Sequence, residues 1–293
     1  MPPANPTMAD RARGAIVLLL SSLVALAGCA AAAGPIETAG STPGDAPGDS
    51  PGTPPAEAAV TITVAAAADL RFAMDEIVAA YARIVPATHV EVTYGSSGSF
   101  YAQISNGAPF DLFFSADIDY PRRLEAAGLG AGPTRPYAVG RIVLWVPTAS
   151  SLDVEGRGLS VLLDPAVRRI AIANPEHAPY GRAAVAALRS AGLDAGVADR
   201  LVLGENVSQT AQFVESGAAE VGIIALSLAL APTLRDQGRW WAIPPESYPP
   251  IEQGALVLRG PGDPETASHF LDFVLGPQGR AVLDRYGFRL PGS

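Results

Sequence analysis

From Val60 onward the chain alternates short apolar runs with amphipathic stretches. Val60 to Ala65 (VTITVA) is apolar and β-branched, and predicts a strand. Asp69 then precedes a helical period that puts Leu70, Met74, Ile77, Val78 and Tyr81 on one face. Val90 to Tyr94 (VEVTY) predicts the next strand. Gly95-Ser96-Ser97-Gly98 breaks it, and a short helix follows from about Ser99 to Asn106. Leu112 to Ser115 (LFFS) reads as a buried strand, followed by a helix through Arg122 and Leu124. Strands and helices in alternation mark a parallel sheet covered by helices.

A second series opens at Ile142 to Val146. Ile170 to Ala173, a short segment ending at Val202-Leu203, Val221 to Leu226 and Gly254 to Leu258 predict strands. Helices are predicted from about Tyr180 to Ala191, Ser208 to Ser216, Ala267 to Leu275 and Gly279 to Tyr286. Two α/β lobes account for this pattern, each a mostly parallel sheet flanked by helices. The chain is expected to re-enter the first lobe near Gly254. That divides the folded part into lobe 1, residues 60–139 with 253–293, and lobe 2, residues 140–252.

The pattern changes upstream of Val60. Arg11 and Arg13 precede an apolar run from Ala15 to Ala27, which ends in Leu26-Ala27-Gly28-Cys29. A basic start, a short apolar core and small residues at a cleavage point make a secretory signal over residues 1–28. The run is too short to span a bilayer, which needs about 20 residues. With Cys29 directly after the small residues, the segment resembles a bacterial lipoprotein signal. That resemblance implies a lipidated Cys29 as the mature N-terminus. Residues 29–59 read as a tether, because segments such as Ser41-Thr42-Pro43-Gly44-Asp45 cannot build a core.

Composition narrows the function. Hydrophobic residues make up 48% of the chain and charged residues 17%, as in a globular protein. The net charge is -9 and there is no basic stripe, which argues against nucleic acid as a partner. Cys29 is the only cysteine. The mature domain therefore has no internal disulfide, no cysteine metal cluster and no catalytic thiol, and must be held by its core.

Four strand-to-helix junctions carry candidate chemistry: Ala68-Asp69, Gly95-Ser96-Ser97-Gly98, Pro179-Tyr180-Gly181 and Asn206-Val207-Ser208. A helix start has unpaired N–H groups and a partial positive charge, and so suits an anion. In open α/β sheets ligands lie beyond the carboxyl ends of strands. Capping alone explains Ser, Asn and Asp at such places, although the Gly-Ser-Ser-Gly-Ser run is denser than capping needs. Conventional catalytic sets are missing. His89, His177 and His269 have no metal spacing, and neither a G-x-S-x-G elbow nor a P-loop occurs. Asp69, Asp75 and Glu76 share one helix start, either for acid–base work or, more simply, to complement the helix dipole. Ser96 or Ser97 is a candidate nucleophile, but the sequence positions no base for it.

The domain from Val60 to Pro291 resembles the periplasmic molybdate-binding proteins of bacterial ABC transporters. The matching stretches are residues 64–70 (VAAAADL), 94–99 (YGSSGS), 107–117 (GAPFDLFFSAD), 174–181 (NPEHAPYG), 205–207 (ENV), 221–227 (VGIIALS), 276–279 (GPQG) and 285–288 (RYGF). They occur in family order and cover nearly the whole mature domain. The resemblance implies a two-lobed periplasmic binding protein fold of type II, with a tetrahedral oxyanion, molybdate or tungstate, between the lobes. It implies no enzymatic activity, no cofactor and no cationic metal site. Carried over by position, the oxyanion site is Asp69, Ser97, the backbone N–H of Tyr180, the backbone N–H of Val207, and the position of Ala225. Implied partners are an ABC permease and its ATPase. An exported, membrane-anchored monomer is expected, in the periplasm or at the cell surface.

Two positions depart from the family. Many members have Ser at the position of Asp69 and Tyr at that of Ala225. An ionised Asp69 facing a dianion would repel it. The carboxylate is expected either to cap its helix or to accept a hydrogen bond from a ligand that keeps a proton, which would select a different oxyanion. The Tyr180 hydroxyl is a candidate to replace the missing Tyr. A Ser-dependent hydrolase, and a sensory or structural lipoprotein on the same fold, are the competing readings.

Overall fold

The apolar runs become strands because their β-branched and aromatic side chains pack on both faces of a covered sheet. A computed structural model describes residues 60–291. The segments expected to be signal and tether, with Cys29, lie outside the described residues. The described residues cluster as one compact unit.

Among the described residues, ten strands form two sheets. They are β1 (Val60–Ala67), β2 (Thr88–Gly95), β3 (Leu112–Ser115), β4 (Arg135–Gly140), β5 (Ile142–Pro147), β6 (Ile170–Ala173), β7 (Leu201–Gly204), β8 (Val221–Ala225), β9 (Gly238–Ala242) and β10 (Ile251–Val257). The first sheet has the order β2-β1-β3-β10-β4 and the second β7-β6-β8-β5-β9. In the first, β1 runs parallel to β2 and β3, and β10 runs antiparallel to β3 and β4. In the second, β6 runs parallel to β7 and β8, and β5 runs antiparallel to β8 and β9. Each sheet therefore has one reversed strand among four that share a direction. The chain passes from the first sheet to the second at Arg141, and returns through residues 243–250.

Ten helices among the described residues cover the sheets: α1 (Arg71–Ile84), α2 (Ser97–Ser105), α3 (Asp119–Ala126), α4 (Val154–Arg157), α5 (Pro179–Ser190), α6 (Asp194–Val197), α7 (Val207–Glu215), α8 (Leu226–Ala229), α9 (Pro264–Leu275) and α10 (Pro277–Arg285). Strand alternation divides the core of the first sheet. Val64, Ala66 and Phe114 join one cluster with α1, α9 and α10, while Ala65 and Phe113 join another with Phe100 and Leu124. The second sheet has its own core, built around Trp145, Ile172 and Ile224. Among the described residues, no helix is long and apolar enough to cross a membrane.

Candidate functional site

The strands β1, β2, β6, β7 and β8 each end at a short turn into a helix, and these ends face one another across the gap between the sheets. Ser96 caps α2 by accepting from the Ser99 N–H at 3.3 Å. Helix α2 thus begins at Ser97, two residues before the expected start. Asn206 caps α7, its Oδ1 accepting from the N–H groups of Ser208 and Gln209 at 3.0 and 3.1 Å. Val207 is the first residue of α7, so its N–H has no partner within the helix. Pro179 opens α5 and has no N–H, which leaves the Tyr180 N–H as the first donor of that helix. Ala225 ends β8 directly before α8, and its buried methyl brings no polar atom.

Asp69 departs from expectation. It lies in a 3-10 turn, Ala68–Leu70, between β1 and α1, and its side chain caps neither element. The cap reading is thereby overturned: the turn moves the start of α1 to Arg71, with Leu70 as its N-cap, and turns the carboxylate inward. Asp69 is 1% exposed. Its Oδ2 accepts from the Tyr180 hydroxyl at 2.8 Å and from Gln253 Nε2 at 2.8 Å. Gln253 Nε2 also donates to the Tyr180 hydroxyl oxygen at 3.1 Å. Asp69 Oδ1 and Gln253 Oε1 are buried and have no hydrogen-bond partner among the described residues. The Tyr180 hydroxyl, a candidate donor to the ligand, is instead committed to Asp69.

Burial dominates the electrostatics. It pushes the Asp69 carboxyl up from 3.8 to about 6, against the opposing effect of hydrogen bonds from Gln253, Tyr180 and Asp69's own backbone N–H. Burial and the neighbouring Asp69 charge hold the phenols of Tyr180 and Tyr137 well above their ordinary value. Asp75 and Glu76 take no part in this cluster. They sit in the second turn of α1, where Asp75 accepts from the Tyr94 hydroxyl and Glu76 pairs with Arg285. This corrects the expectation of a charged first turn.

The structure brings Asp69 together with Tyr180 and with the starts of α7 and α8. Ser208 Oγ donates to the Ala68 carbonyl at 2.9 Å, and Ser227 Oγ to the Asp69 carbonyl at 2.7 Å. Ser97 is buried at the start of α2, and its Oγ accepts from the Ala116 N–H at 2.9 Å. A hydroxyl that accepts there keeps its own hydrogen for a ligand. The next residue, Gly98, donates its N–H to the His177 carbonyl at 2.9 Å, across the cleft. A Cβ at Gly98 would come within 2.6 Å of that oxygen, so only glycine lets the two lobes approach here. Ser96 Oγ also meets His177 Nδ1 at 2.8 Å. This pair did not show in the sequence. Ser96 is buried and bonds to Ser99 as well, so the contact braces the α2 cap against the opposite lobe. Arg182 of α5 pairs with Asp117 on the same seam.

Sequence reasoning missed Gln253, Ser227 and Ser208. Gln253 follows the exposed Glu252 in β10, and nothing local in the sequence marks it as the buried one of the two. Ser227 lies inside a family stretch, and Ser208 inside a candidate junction. Among the described residues, no group of three or more His, Cys, Asp or Glu is placed to hold a metal ion. A polar pocket of about 170 Å³ at the edge of the cluster is lined by Ala68, Arg71, Tyr94, Asn206, Ser208 and Gln209, together with Gln212.

Two α/β lobes that bond across a seam where helix starts converge define a two-lobed ligand-binding protein. The chain belongs to the bacterial extracellular solute-binding protein family, whose model matches residues 62–289. It is a binding protein rather than an enzyme. The molybdate-binding protein ModA of Azotobacter vinelandii is 37% identical over 234 residues, spanning 79% of this chain and 91% of the relative. ModA of Rhodobacter capsulatus is 34% identical over 200 residues, spanning 68% and 77%. A solved structure of the Azotobacter vinelandii periplasmic molybdate-binding protein superposes with a TM-score of 0.73 at 32% identity. It covers 78% of this chain and 99% of that one.

Proposed function

We propose that the protein captures molybdate or tungstate in the cleft and delivers it to an ABC permease and its ATPase. The observation that carries this reading is the meeting of α2, α5, α7 and α8 starts from both lobes, in a chain 37% identical to a molybdate-binding protein. The donors would be the Ser97 hydroxyl and the N–H groups of Tyr180 and Val207, with Asp69 and the position of Ala225 also lining the site. A desolvated dianion is costly unless its oxygens are hydrogen-bonded, and helix-end N–H groups and hydroxyls supply those bonds. Selectivity then follows cavity size: a smaller oxyanion leaves donors unpaired.

Residues 60–139 with 253–293, and 140–252, would move as the two lobes. The ligand touches both and favours the closed arrangement. The mature chain would be an exported monomer, tethered through a lipidated Cys29 and the segment 29–59. The test is thermal melting in the presence of molybdate, tungstate, sulfate and phosphate. Molybdate and tungstate should raise the melting temperature in a concentration-dependent way. Equal response to all four, or to none, would contradict the assignment.

A further inference from the structure

We propose that capture of the anion is coupled to uptake of one proton by Asp69, whose Oδ1 then carries the hydrogen that is donated to the ligand. This inference rests on the oxyanion reading above and deepens it. Hydrogen-bond geometry fixes the roles around the carboxyl. The one hydroxyl hydrogen of Tyr180 goes to Oδ2. The two hydrogens of Gln253 Nε2 go to Oδ2 and to the Tyr180 oxygen. Oδ2 is thus served by two neutral donors, so a proton taken up by the carboxyl belongs on Oδ1. Oδ1 remains buried with no partner among the described residues.

The groups packed against Asp69 donate hydrogen bonds, as does its own backbone N–H, but they carry no positive charge. They are Tyr180 from α5, Gln253 from β10, Tyr137 from β4 and Ser227 from α8. Ser208 of α7 bonds the adjacent Ala68 carbonyl. Neither a cation nor a second carboxylate is among them. Arg71, two residues along, is exposed at the edge pocket. Burial has already raised the carboxyl to about 6 without ligand. A dianion alongside raises it further, because two like charges in a dry site cannot both stay ionised. Protonation turns the one repulsive group of the site into a neutral donor. The step forms one O–H bond at Oδ1, takes the proton from a buffer acid, and oxidises or reduces nothing.

Calorimetric titration of the protein with sodium molybdate, in buffers of different ionisation enthalpy at pH 7.5, counts the protons. The expected result is uptake close to one proton per anion. Affinity should then fall by up to about tenfold per pH unit between pH 7 and 8.5. Asp69→Asn should take up no proton and bind with an affinity that pH does not change. Saturable binding by the parent without proton uptake would overturn the proposal and leave the capture function standing. Failure of the parent to bind molybdate at all would overturn both. The parent's own proton count decides the matter even if Asp69→Asn does not fold.

Discussion

Asp69 shows how far a single residue can depart from its local signal. An Asp ahead of a helical period normally caps the helix, yet here its carboxylate lies at the junction of three elements distant in sequence. Its partners Gln253 and Tyr180 are 184 and 111 positions away. No local pattern encodes such separations, which is why Gln253 was illegible. Ser97, by contrast, stood out because Gly-Ser-Ser-Gly-Ser is richer in small donors than a cap requires. The raised Asp69 carboxyl has a consequence for stability. The folded state holds this proton more tightly than the unfolded chain, from 3.8 unfolded to about 6 folded. Stability therefore falls as pH rises from about 4 to about 6, and is level above. A gap of roughly two pH units at 1.36 kcal/mol each makes this about 3 kcal/mol. Asp69→Asn should abolish the fall and be more stable than the parent at pH 8. Urea midpoints of both proteins at pH 5 and pH 8 check this, and a parent that is equally stable at both values would contradict it.

At the scale of elements, the junctions were more legible than the sheet edges. The strands β1, β3, β6 and β8 are buried apolar runs, and the sequence pattern placed them within a residue or two. β4 and β9 went unseen. β4 carries Pro136 and no clean alternation, and β9 is short and only half-buried, with side chains that pack against β5 and α4. The crossover geometry depends on these two strands, because β4 leads out of the first sheet and β9 precedes the return. The caps at Ser96 and Asn206 follow from residue type alone, and each aims a helix start at the cleft. Asn206→Ala should lower stability by about 1 kcal/mol, the usual value of a lost N-cap. It should also weaken anion binding, because the Val207 N–H loses its fixed direction. Denaturant unfolding and titration of the same variant check both, and a cap loss without effect on binding would remove α7 from the site.

The whole molecule joins an acidic surface to a site for an anion. A net charge of -9 opposes the approach of a dianion at long range, but it does not determine what a closed cleft prefers. Closure is held by bonds that run between the lobes: Tyr180 to Asp69, Gly98 to His177, and Arg182 to Asp117. The proposed tether, residues 29–59, would place this machinery near a membrane only if Cys29 is lipidated. Cys29→Ala should then leave the protein in the soluble fraction or unprocessed, as fractionation and mass measurement would show; unchanged membrane attachment would refute the anchor. The central claim is that this cleft holds molybdate through neutral donors from both lobes. Calorimetric titration of the parent and of Ser97→Ala with molybdate tests it most directly. The parent should bind one anion saturably. Loss of one hydrogen bond to a charged group, worth about 1.5–3 kcal/mol, should weaken the variant by roughly 10- to 150-fold. Equal affinity in the two proteins, or no binding by the parent, would contradict the account.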